Sequence, residues 1–238
     1  MVAMSNKPAK HSDVKKTTSA TRMKQGWARK RDTLPFIPIN PQRHLIITEG
    51  TKTEPLYFKA IEKRINAKYH GQWVTIEILG SGEHTVELLE RAARMADLNP
   101  SCYSHVWVVY DKDNFRADEF NNVAARCETL AAGGAKFHAI WSNECFELWY
   151  ILHFEYLQTP LLRGDYSAKL SSHLVARGRG KYEKNRDDMF VILEPNLTDA
   201  KNNAKKLEKL NAGKTPADST PGTMVHQLIS ALEPFFRK

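Results

Sequence analysis

Val106-Trp107-Val108-Val109-Tyr110-Asp111-Lys112-Asp113 is the stretch on which the fold turns. It is a short apolar run, rich in β-branched and aromatic residues, that ends in two carboxylates. A second run, His44-Leu45-Ile46-Ile47-Thr48-Glu49-Gly50, has the same form and ends in one. Each is followed by a helix-compatible stretch, the pattern of a buried parallel strand feeding a crossover helix. In open α/β sheets ligands bind outside the carboxyl ends of the strands, where strand order reverses, so both acidic tips are candidates for one crevice.

Working outward from these strands, Thr53-Glu54-Pro55 marks a helix start, and Leu56, Phe58, Ile61 and Ile65 give a helix over about 54–66. Residues 73–79 alternate as a strand that ends in Gly80-Ser81-Gly82, and Thr85 to Ala96 returns to helical spacing. The third strand spans 105–110 and its helix about 116–131. A fourth strand runs from Lys136 to Trp141, with Ser142 and Asn143 as N-cap residues for a helix over 144–154. The unit is β-α-β-α-β-α-β-α, an α/β domain built on a parallel sheet flanked by helices. Beyond His153 the strand signal fades, and 168–176, 198–210 and 223–235 are patterned as helices. The division is therefore a basic arm at 1–43, an α/β domain at 44–155 and a helical C-terminal extension at 156–238.

Charge is distributed unevenly. Residues 1–43 carry ten Lys and Arg against Asp13 and Asp32, a net of +8, while the rest of the chain holds 25 residues of each sign. Such a Ser/Thr/Lys-rich arm, which includes Arg29-Lys30-Arg31, is expected to be disordered in isolation and drawn to phosphate; a solubilising tail is the competing reading. No apolar stretch approaches the roughly 20 residues of a membrane span, and the basic N-terminus lacks a signal-peptide core. Cys102, Cys127 and Cys145 are scattered and lack metal-ligand spacing, which suits reduced thiols in a cytoplasmic protein.

Three phrases together, Glu49-Gly50-Thr51-Lys52-Thr53-Glu54-Pro55-Leu56-Tyr57-Phe58, Asp111-Lys112-Asp113, and Ser142-Asn143-Glu144-Cys145-Phe146-Glu147-Leu148-Trp149, resemble the RloB-like family. The resemblance extends from about residue 44 to the C-terminus, through Tyr182-Glu183-Lys184-Asn185 and Pro221-Gly222-Thr223-Met224-Val225. It implies a Toprim-like fold with a glutamate after the first strand and an Asp-x-Asp pair after the third. It also implies membership of bacterial anti-phage or restriction-linked loci, frequently beside an AAA/ABC-type ATPase. One departure is Glu144, where the family pattern leads us to expect proline.

The residues support that chemistry independently. Asp111 and Asp113 lie two apart, so persisting strand geometry sends both side chains to one face, where they offer oxygens to a hard cation. Magnesium or manganese needs only one or two carboxylates, with water and substrate phosphate completing its shell, and Glu49 stands as a ligand for a second ion or as a proton carrier. Solvated turn carboxylates are the alternative. Lys52 is either a phosphate contact or a solvated turn lysine. Glu54 reads as an acidic cap on the helix dipole. Glu147, placed on a shared helix face with Asn143, is either a fourth acidic member of the site or a buried carboxylate with a structural partner. Lys181 and Lys184 flank Tyr182 in a basic strip of the kind nucleic-acid grooves use, and a solvated loop explains them as well. His153 and the aromatics Phe146, Trp149 and Phe154 are expected in the core. The function expected is metal-dependent phosphodiester cleavage of RNA or DNA in anti-phage defence. A non-catalytic nucleic-acid or nucleotide-binding module serving an ATPase, and a primase-like nucleotidyl transferase, are the alternatives.

Overall fold

The computed structural model describes residues 43–78, 85–113 and 115–237. Arg29, Lys30, Arg31 and the rest of the arm to residue 42, together with Gly80-Ser81-Gly82, lie outside them. Four strands, β1 (His44–Thr48), β2 (Val74–Ile78), β3 (His105–Asp111) and β4 (Lys136–Asn143), pair in parallel in the order β2-β1-β3-β4. The first three crossovers carry α1 (Thr53–Lys68), α2 (Thr85–Leu98) and α3 (Ala117–Thr129).

The period of two along each strand divides the core into two layers. Leu45 and Ile47 of β1, with Val106, Val108 and Tyr110 of β3, pack against Leu88, Leu89 and Ala92 of α2 and Phe120 and Val123 of α3. Ile46, Trp107 and Val109 point the other way, toward Tyr57, Phe58 and Ile61 of α1. β1 and β3 are buried on both faces, which is why their runs are apolar rather than alternating, whereas the edge strand β2 alternates with Thr75 and Glu77.

The second layer is completed by the C-terminal third of the chain. α4 (Glu147–Ile151), α5 (Arg163–Val175), α6 (Met189–Leu193), α7 (Leu197–Leu210) and α8 (Val225–Phe236) bring Trp149, Leu170, Phe190, Leu207 and Leu228 into the same core as Ile46 and Tyr57. Each such side chain, fully buried, contributes about 1.5–3 kcal/mol. Trp149 Nε1 also donates to the Tyr57 hydroxyl at 3.1 Å, so the polar ends of these two buried rings satisfy each other.

Several expectations are corrected here. Ser142 and Asn143 are strand residues and not helix caps: they pair antiparallel with a two-residue strand, β5 (Gly222–Thr223), which is too short to leave a periodic signal. The Ser142 and Thr223 hydroxyls share a hydrogen bond of 3.0 Å, and the Asn143 amide donates to the carbonyls of Pro216 and Ala217. The sheet is therefore parallel with one antiparallel edge. The helix expected over 144–154 is confined to Glu147–Ile151, so Glu147 and Asn143 do not share a helix face. The Asn143–Glu144 peptide is cis. The helix expected from 168 begins at Arg163, and α6 was not anticipated.

Candidate functional site

β1 leaves for β2 on one side and for β3 on the other, so the strand order reverses between β1 and β3, which are paired with Thr48 opposite Val109. A crevice of about 330 Å3 opens at the carboxyl ends of these two strands. Glu49, Glu54, Asp111, Asp113 and Glu147 line it together with Lys52, Arg163 and Lys184. Glu49, Asp111 and Asp113, which the sequence placed at two separate strand tips, thus meet in one place.

Asp111 is the last residue of β3, and the alternation that sends Trp107 and Val109 toward α1 sends Asp111 to the same face. Its Oδ2 accepts the main-chain N–H of Phe146 at 3.1 Å, whereas its buried Oδ1 has no hydrogen-bond partner. Burial raises its pKa well above the ordinary carboxylate range, and Glu54, Glu147 and Glu49 push in the same direction against the Phe146 N–H. Glu49 follows β1, where its own N–H donates to Val109 O at 3.1 Å. Burial raises its pKa to about 7; the Asp111 N–H opposes the shift, Glu54 adds to it and Arg163 opposes it. Its Oε2 is likewise buried without a partner. Two orphaned carboxylate oxygens facing one crevice from adjacent strands are costly unless a cation or proton meets them.

The strand geometry that would have carried Asp113 onto the same face stops at Asp111. Asp113 is in the left-handed region, with φ of 40°, a conformation that Asp tolerates better than most side chains. From that turn it reaches the crevice and forms an ion pair with Arg163.

Glu54 departs from its expected role. It is 5% exposed and belongs to the crevice rather than to a solvated helix start. Its carboxylate lies directly over Gly50, where a Cβ would collide with it, so the absence of a side chain at position 50 makes its seat. Burial, opposed by its own N–H, raised further by Glu147 and relieved by Lys184 and Arg163, leaves its pKa at about 7. Glu147 is 4% exposed and its Oε1 accepts the Tyr182 hydroxyl at 3.1 Å.

Lys52, at the N-cap of α1, and Lys184 stand on the rim. Lys181 is exposed and does not line the crevice. His153 is an interior residue, its Nδ1 against the Trp149 carbonyl at 2.9 Å, and Phe146 and Trp149 are core aromatics. The three cysteines are free thiols. Sequence reasoning missed Glu54 as a crevice residue and Arg163 altogether. The visible clue to Arg163 was a cation at a helix start, where the dipole disfavours it, but that clue is legible only once the start of α5 is fixed.

Among the described residues, no group of three or more His, Cys, Asp or Glu is arranged as it stands to hold a metal ion, and no helix is long and apolar enough to cross a membrane. The donor chemistry nevertheless suits a hard divalent cation. Magnesium takes one or two carboxylates and leaves the remaining positions to water and phosphate, and Glu49 and Asp111 offer one unengaged oxygen each.

No curated protein and no solved structure matches the chain. The family model described as RloB-like protein matches residues 44–232, from the first residue of β1 into α8 and across every crevice residue named above, and the chain belongs to that family.

Proposed function

We propose that this crevice is the active site of a nuclease that cleaves phosphodiester bonds in RNA or DNA with the help of Mg2+ or Mn2+. The observation that carries the reading is the pair of buried, unpartnered carboxylate oxygens, Glu49 Oε2 and Asp111 Oδ1, at the β1/β3 switch point. Glu49 and Asp111 would hold the cation, with Asp113 beside them. The bound cation would supply electrostatic neutralisation of the charge that develops on the scissile phosphate.

The remaining steps belong to the chain itself. The Phe146 N–H fixes the Asp111 carboxylate by one oxygen and leaves the other toward the crevice. Glu54, with its pKa raised to about 7, is poised to take up or release a proton near neutrality, as general acid–base catalysis requires. Lys52 and Lys184 offer ammonium groups to the substrate backbone from two segments of the chain far apart in sequence. The apolar layer beneath, from Tyr57 to Trp149, keeps water from the rear of the site and strengthens every charge interaction within it. The setting we propose, an effector of bacterial anti-phage defence that works beside an AAA/ABC-type ATPase, follows from the family resemblance.

The test is to incubate the purified chain with tRNA, mRNA, single-stranded DNA and duplex DNA, with and without Mg2+ or Mn2+. Cleavage of at least one substrate that requires the metal, and is lost in Asp111→Asn and Glu49→Gln, is the expected outcome. Full cleavage by these variants, or cleavage in the presence of a chelator, would overturn the reading; binding without cleavage under every condition would favour a nucleic-acid-binding module instead.

A further inference from the structure

Five carboxylates and three cations line the crevice, and the cations are not equivalent. Lys52 and Lys184 occupy the rim, whereas the Arg163 guanidinium is paired with Asp113 and close enough to Glu49 and Glu54 to lower the pKa of both. Arg163 is the first residue of α5, a 13-residue helix. A cation there opposes the positive end of the helix dipole, so the position costs stability instead of adding to it. Nor is Arg163 a packing residue: its side chain remains 42% exposed. A charged group that stabilises neither its helix nor the core, yet sits among three acidic side chains of the crevice, belongs to the chemistry of the crevice.

We propose that Arg163 is the exchangeable counter-ion of this site. A divalent cation drawn to Asp113 competes directly with the guanidinium, and the guanidinium so displaced pairs with a phosphate of the nucleic-acid backbone. The inference rests on the metal-dependent reading above and adds to it an order of events: cation first, phosphate on Arg163 second. The planar fork of arginine suits both partners, because carboxylate and phosphate each accept it through two parallel hydrogen bonds. The same exchange explains why Asp113 sits in a left-handed turn beyond the strand. That conformation carries its carboxylate toward α5, where a continued strand would have kept it beside Asp111.

The two halves of the exchange predict effects of opposite sign in one variant. In calorimetric titration of the full chain with Mn2+ and no nucleic acid, Arg163→Ala is expected to bind the ion about two- to fivefold more tightly than the wild type, the span of a partly exposed ion pair. In fluorescence anisotropy with a labelled single-stranded oligonucleotide and Ca2+, the same variant is expected to bind about tenfold more weakly, as for loss of a hydrogen bond to a charged group. Arg163→Lys, which keeps the charge and loses the fork, falls between them in both assays and guards against a folding defect in the alanine variant. Unchanged or weakened Mn2+ binding in Arg163→Ala, with normal binding in the wild type, would overturn the exchange and leave the metal reading standing. Unchanged oligonucleotide affinity would overturn it equally. A wild type that binds no Mn2+ would remove both.

Discussion

The Tyr182 hydroxyl donates to Glu147 Oε1 at 3.1 Å, across 35 residues of sequence, and so fastens the loop between α5 and α6 to the floor of the crevice. The same hydroxyl lies 3.5 Å from Thr53 Oγ1 at the start of α1. The main chain of Tyr182 is held as well, its N–H donating to Ser171 Oγ at 3.1 Å. Lys184, two residues further on, is thereby delivered to the rim. A polar tether of this kind fixes position more than it adds stability, because both partners surrender water to make it.

Tyr182→Phe keeps the ring and removes the tether. With Glu147 left one donor short in a buried site, the variant is expected to lose about 1–3 kcal/mol of stability in urea denaturation, the range for a buried acceptor left without its partner. Oligonucleotide binding should fall with it, since Lys184 loses its anchor. A variant as stable as the wild type would show that the Glu147 carboxylate is satisfied elsewhere.

Gly50→Ala places a methyl group on the Glu54 carboxylate. Overpacking of this type costs about 1–3 kcal/mol, and here it also displaces a group proposed to carry a proton, so cleavage is expected to drop further than stability. Gly164→Ala, in α5, meets no atom within 4 Å and serves as the control: its melting temperature is expected to hold or rise. Melting curves and cleavage rates on the two variants check both statements.

Acidity supplies a third prediction. In the folded chain Glu49 and Glu54 keep their protons up to about pH 7, whereas their ordinary value is 4.5. Between those two values these two carboxyls bind more protons in the folded state than in the unfolded one, so their contribution to stability falls as pH rises from about 4.5 to about 7, against the opposite contribution of His44, His138 and His153, whose pKa burial lowers to about 4. Glu49→Gln, neutral at every pH, should flatten part of that decline and melt higher than the wild type at pH 8, even as it abolishes cleavage. Thermal melts from pH 4.5 to 8, on wild type and variant, decide it; parallel profiles would show that Glu49 is not buried in its acidic form.

Deletion of residues 1–42 removes nine Lys and Arg and two Asp, nearly all of the net charge of the chain. Arg43 is retained because its carbonyl accepts the N–H groups of Ser104 and His105 beside β1. The truncated protein is expected to melt like the full chain and to bind nucleic acid more weakly, with a shallower dependence on salt. An unchanged slope across a salt series would leave the arm a solubilising tail.

Local pattern was sufficient for the sheet and for the acidic tips of β1 and β3. Runs such as Leu45–Thr48 and Val106–Tyr110 are apolar because both faces of the sheet are covered, and an apolar run cannot end in Glu49 or Asp111 without bringing those carboxylates to the sheet edge. The adjacency of the two strands, and with it one crevice for both tips, followed from the βα alternation and the switch-point rule. Local pattern could not reveal β5, because a two-residue strand has no period and is held by its partner, Ser142–Asn143. Nor could it separate Glu54 as a helix cap from Glu54 as a buried crevice carboxylate: the residue and its place in the first turn are the same, and only its burial in the crevice and the close approach of Gly50 decide between them. Arg163 and Tyr182 reach the site from beyond the β-α repeat. Their meeting with Asp113 and Glu147 is a product of how the C-terminal helices dock on one face of the sheet, a long-range packing that no spacing within either segment encodes.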